Sequence, residues 1–241
     1  MPDANDMELL RDYSRNGSEA AFAELVQRHI GFVYSAALRH VGIAAHAEEI
    51  TQAVFIILAR KAASLRANII LEGWLYETTR LTALRFLRGE RRRQFREQEA
   101  YMQSTLNESS APDAVWNQLA PLLDEAMSRL GKKDRDMVIL RFFKGKNVRE
   151  IAATMQMSEA AAQRRVLRAL EKLRTYFAKR GVSSTAAIIA GAISGNSVHA
   201  APIGLAKTIS AAALAKGATA CFNLNPHQRS TENYGMDKSA L

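Results

Sequence analysis

Six arginines, Arg85, Arg88, Arg91, Arg92, Arg93 and Arg96, fall within twelve residues, opposed there only by Glu90. A cluster of Arg without Lys favours planar, bidentate pairing with phosphate over plain solubility. Just before it stand Gly73, Trp74, Leu75 and Tyr76. Aromatic side chains beside a basic run suit stacking on unpaired bases, because every base offers a π-face. A lone Trp also serves a core, and Trp74 is expected to be at least partly buried. A second constellation occupies residues 148–166 (VREIAATMQMSEAAAQRRV). Ile151, Ala152 and Met155 share the inward face of a short helix, a tight turn follows at Gln156 and Met157, and Ser158 is placed to cap a longer helix. Small Ala152, Ala161 and Ala162 let the two helices cross closely, as a DNA-binding helix-turn-helix requires. At about 100° per residue, Ala162, Val166, Ala169, Leu170, Leu173 and Phe177 cluster on one face of the second helix. Ala160, Arg164, Arg168 and Glu171 fall opposite, with Arg165 on the flank. Outward Arg side chains there can read guanine edges or hold phosphates. An αα-hairpin with a charged solvent face would give the same wheel. Gln156 takes the turn position where Gly is usual, and a left-handed backbone there costs about 1–2 kcal/mol.

Composition narrows the classes. The 241 residues suit one mid-sized domain or two small ones. The single cysteine, Cys221, excludes a disulfide framework and a thiolate zinc site. The histidines His29, His40, His46, His199 and His227 show no metal-ligand spacing. No glycine-rich phosphate loop or nucleophile motif is present. The reading is therefore a non-enzyme without cofactor or metal. A net charge of +9 points to a polyanionic partner, nucleic acid before membrane. The opening residues, Met1 to Asp6, lack the apolar stretch of a secretory leader, so a cytoplasmic location is expected.

The elements that must hold these residues read as all-helical. Apolar residues recur at three- and four-residue spacing, and Gly and Pro are sparse up to Gly181. Helices are expected at about 6–15, 18–41, 45–64 and 73–99, with a loop at 65–72. A polar stretch at 101–112 reads as a linker. Helices resume at 113–130, 134–143, 148–155 and 158–179. On the helix from Ala45, Ala47, Ile50, Val54, Ile57 and Leu58 form a core face, while Glu48, Gln52, Phe55 and Ala59 are read as lying opposite. An outward Phe beside Glu and Gln suits either another helix of the chain or a partner helix. Residues 182–206 carry no charge and contain Asn196, His199 and Pro202, so a weakly ordered Ala-rich extension is expected ahead of a membrane span.

The order of these parts resembles bacterial extracytoplasmic-function sigma factors of the sigma-70 family. Residues 46–55 (HAEEITQAVF) look like their polymerase-binding helix, and residues 73–93, opening GWLYETTR, like the helix that melts the minus-ten element. Residues 130–143 (LGKKDRDMVILRFF), followed by the helix-turn-helix, look like their region four. His46, Gly131 and the loop 65–72 depart from the family pattern.

The resemblance implies a region-two-like domain at 6–99, a flexible linker at 100–118, a region-four-like domain at 119–180 and an extension at 181–241. It implies that Glu48, Glu49, Gln52 and Phe55 dock on core RNA polymerase. Asn68, Trp74, Tyr76, Arg80, Arg85, Arg88, Arg91 and Arg92 would meet the minus-ten element. Ser158, Gln163, Arg164, Arg165 and Arg168 would meet the minus-thirty-five element. Core polymerase, promoter DNA and an anti-sigma protein are the partners implied. The alternative is a stand-alone helix-turn-helix regulator that binds an operator as a dimer.

Overall fold

Asn5 opens the first helix, α1 (Asp6–Asn16). Its side chain accepts from the Met7 amide, and Glu8 reaches back to the Asn5 amide, a reciprocal cap. Ser18 caps α2 (Glu19–Val41), accepting from the Ala21 amide. Next come α3 (Ala44–Lys61), a 3-10 turn (Ala62–Ser64) and the long α4 (Leu71–Glu97). The second half contains α5 (Ala114–Arg129), α6 (Lys132–Val138), a π-helical turn (Ile139–Phe143), α7 (Val148–Thr154) and α8 (Glu159–Ala178). The extension supplies α9 (Ala186–Asn196) and α10 (Leu205–Ala218). This computed structural model describes residues 5–66, 68–97, 114–196 and 198–218. No strand occurs among the described residues, as the periodicity indicated.

Three boundaries differ from the sequence reading. α4 starts at Leu71, because Leu71 and Leu75 join the core one turn before Trp74 could anchor it alone. α5 starts at Ala114, next to the start expected from the apolar spacing but inside the linker range 100–118 that the resemblance implied, since Trp116 packs against the core. The stretch read as one helix over 134–143 ends in a π turn, with the Lys144 amide donating to the Ile139 carbonyl. Most of the polar linker lies outside the described residues.

The main core joins α1 to α5 with the π turn, α8, α9 and α10. Its fully buried Phe22, Phe55, Phe177 and Leu25 each contribute about 1.5–3 kcal/mol of hydrophobic stabilisation. A second, smaller core of Met137, Leu140, Ile151, Ala152, Ala162, Val166 and Leu170 holds α6, α7 and α8 together. The two helical cores are what present the basic surfaces described next. The extension was expected to be weakly ordered. Instead α9 buries Ile189 and Ile193, and α10 buries Ile209 and Ala213. No described helix is long and apolar enough to cross a membrane.

Candidate nucleic-acid interface

The helix-turn-helix is built as the small residues require. Ala152 and Ala162 are buried where α7 and α8 cross. Asn147 and Glu150 cap α7 reciprocally, and Ser158 Oγ accepts from the Ala161 amide at the start of α8. Ser158 is thus a cap, although it remains exposed. Gln156 has φ 52°, the left-handed conformation that a side chain disfavours. The face of α8 away from the core exposes Gln163, Arg164 and Arg168. Arg165 differs: its Nε donates to Asp134 Oδ1 at 2.8 Å, and Lys172 Nζ donates to the other oxygen at 2.6 Å. Burial alone would raise the Asp134 carboxyl, but these two cations hold it below the usual carboxylate range. Arg165 therefore braces α8 on α6, and its charge is already matched.

On α4, Arg85 and Arg88 are exposed, at the end where the helix runs on toward Arg91 and Arg92. The side chains of Arg91 and Arg92 lie outside the described residues. Arg80 is held by Glu77 at 2.6 Å. Trp74 is half-buried, as expected. Tyr76 corrects the sequence reading. It is fully buried, and its hydroxyl donates to Asp124 Oδ1 at 2.5 Å, so it is not available for stacking on a base in this arrangement. Burial and the Asp124 charge raise its hydroxyl well above the usual phenol range.

Asp124 also takes Arg39 Nε at 3.2 Å, so α2, α4 and α5 converge on one carboxylate. Beside it Phe32, Tyr76 and Phe143 form an aromatic triangle with ring centroids 5.9–6.4 Å apart. Further pairs link the same halves: Arg135 with Glu77 at 3.3 Å and Lys146 with Glu72 at 3.0 Å. Gly73 approaches Asp136 so closely that a Cβ there would lie 2.1 Å from Oδ1. Only glycine permits this contact. Burial raises the Asp136 carboxyl to about 6, with Glu72 adding to the shift and Lys132 and Arg135 opposing it. None of these pairings is visible in the sequence, because charges 48 to 85 residues apart carry no local signal.

The loop before α4 lines an open cleft of about 700 Å³ with Asn68, Glu72, Lys132, Lys133 and Lys146. Asn68 is exposed at its edge. On α3, Glu49 is exposed while Glu48 and Gln52 are half-buried. Phe55, read as lying opposite the core face and suited to another helix of the chain or to a partner, is fully buried, with α3 packed by α2, α4 and α10. His46 packs its ring against Phe86 of α4, centroids 4.8 Å apart and planes tilted by 55°.

Residues 25–93 match the family described as Sigma-70 region 2, and residues 121–173 that described as Sigma-70, region 4. The chain is 31% identical over 175 residues to the ECF RNA polymerase sigma factor SigE of Mycolicibacterium smegmatis, covering 69% of this chain and 66% of that relative. It is 30% identical over 163 residues to the RNA polymerase sigma factor CarQ of Myxococcus xanthus, covering 66% of this chain and 91% of that relative. A similar solved structure is the sigma factor RpoE in complex with the anti-sigma factor NepR from Bartonella quintana. There the identity is 19% and the TM-score 0.33, over 65% of this chain and 94% of that one.

Proposed function

The chain belongs to the sigma-70 family, and from that premise we propose that it binds core RNA polymerase and directs promoter-specific initiation of transcription. It carries no chemistry of its own in this reading and takes no cofactor. The observation that supports it most is the pairing of two surfaces in one chain. The first is α8, with Gln163, Arg164 and Arg168 exposed above a tight helix crossing. The second is α4, with Arg85 and Arg88 exposed on the helix behind Trp74.

The physical division of labour follows. α8 holds the minus-thirty-five element as duplex, Arg164 and Arg168 reaching base edges or phosphates from the major groove. Arg165 keeps α8 in place through Asp134. The exposed arginines of α4 hold phosphates near the minus-ten element. Trp74 and the loop carrying Asn68 meet its unpaired bases. Extruding a base costs a few kcal/mol, which polymerase contacts must offset. Glu48, Glu49 and Gln52 of α3 dock on the polymerase, and Phe55, fully buried in this arrangement, joins them only once it is uncovered. Docking one half raises the effective concentration of the other at the promoter. An anti-sigma protein completes the set of partners.

The test is transcription in vitro with purified core polymerase, with and without the chain, over a pool of promoter fragments. New start sites sharing two spaced elements are the expected result. Sequence-specific duplex binding without any effect on polymerase would overturn the reading and favour a stand-alone regulator.

A further inference from the structure

The extension touches both halves of the molecule. α9 packs on α5, α8 and the π turn, with Ile189 and Ile193 fully buried. α10 packs on α2 and α3 through Ile209 and Ala213, which are one helical turn apart. Between them the chain lies across α2. The His199 amide donates to Ser35 Oγ at 2.7 Å. One turn away at Gly31, a Cβ would sit 3.1 Å from the His199 carbonyl oxygen.

The place of α10 on α3 follows from helical phase. His46 packs on Phe86, so α4 lies on the His46 side of α3. At about 100° per residue, Phe55, nine positions on, points to the opposite side. α2 packs against both α4 and α10 and so lies between them around α3. That leaves α10 on the side of Phe55, flanked by half-buried Glu48 and Gln52. Without a helix there, a Phe beside Glu and Gln would face water.

We propose that α9, α10 and residues 198–204 between them form an intramolecular cap in which α10 occupies the face of α3 that docks on polymerase. This rests on the polymerase reading given above. α10 and core polymerase then compete for one surface, and the chain is self-restrained until the cap lifts. α9 and the contact at Ser35 keep α10 close, so it returns when polymerase leaves. The anchor is thin, with two fully buried side chains among those described on α10, which suits a segment that must be displaced. α10 is anchored through the apolar side chains of Ile209 and Ala213, so salt alone does not release it.

The test uses the full chain carrying Ser35→Cys, His199→Cys and Cys221→Ser, whose new cysteines replace two residues joined by a hydrogen bond, with the bridge confirmed by a free-thiol count after oxidation. Labelled protein is titrated with core polymerase, oxidised and reduced. A second variant, Ile209→Glu, loosens α10 without touching α3, and circular dichroism checks its helix content. The oxidised form is expected to bind at least about tenfold more weakly than the reduced form, and Ile209→Glu about tenfold more tightly than the parent. Equal affinity in all forms would overturn the cap and leave the polymerase reading standing. Absence of binding in every form, the reduced one included, would overturn both.

Discussion

Tyr76 donates its hydroxyl to Asp124 across the boundary between the two halves of the chain, at 2.5 Å and with both side chains buried. The same carboxylate takes Arg39, so one acid ties three helices. A buried acceptor with two donors is costly to strip. Tyr76→Phe should therefore destabilise the chain by about 1–2 kcal/mol with little change in the urea m-value. An unchanged midpoint would show that this contact is dispensable.

The recognition helix should divide its arginines by role. Arg164→Ala and Arg168→Ala each remove an exposed cation and should weaken binding to a promoter duplex by about 1–3 kcal/mol. Each should also lower the salt slope by about 1 where a phosphate contact is lost. Arg165→Ala should instead lower thermal stability, because Asp134 is left with Lys172 alone. Fluorescence anisotropy across a salt series, with melting curves beside it, separates the two behaviours.

Gln156 sits at φ 52° in the turn between α7 and α8. Gln156→Gly removes the left-handed strain and should raise stability by about 1 kcal/mol, read as an increase in Tm with DNA affinity retained. A lower Tm would mean that the Gln side chain contributes more than its backbone costs.

Two carboxyls should move stability with pH in opposite senses. Asp136 is raised from 3.8 to about 6, chiefly by burial. Below pH 3.8 it holds its proton in both folded and unfolded chains. As pH rises toward 6 the unfolded chain ionises first, so stability falls over that window and stays lower above it. Asp136→Asn should remove this loss and stabilise the chain by about 1–3 kcal/mol at pH 7, with no gain near pH 4.

For Asp6, burial would raise the carboxyl, but His29, Arg28 and Lys144 outweigh it and hold it at about 2. Its contribution is present above 3.8 and is lost as pH falls toward 2. Asp6→Asn should cost about 1–3 kcal/mol at pH 7, with the difference vanishing at pH 2. Urea titrations of both variants across pH 2–8 check the two signs.

The sequence by itself determined the helices as far as Ala178, two of their caps and the helix-turn-helix. These rest on short-range physics: apolar spacing, Ser18 and Ser158 as caps, and small residues at the α7–α8 crossing. It also marked Arg164 and Arg168 as exposed, because one helix wheel suffices to sort them. Tertiary structure decided which marked residues were already engaged. Tyr76 is taken by Asp124, Arg165 by Asp134, and Phe55 is buried on a helix packed from three sides. A helix wheel describes one helix and its nearest faces. Whether an outward side chain meets water or another helix depends on elements far along the chain. Here α10, some 150 residues beyond α3, turns an apparent docking face into an interior one.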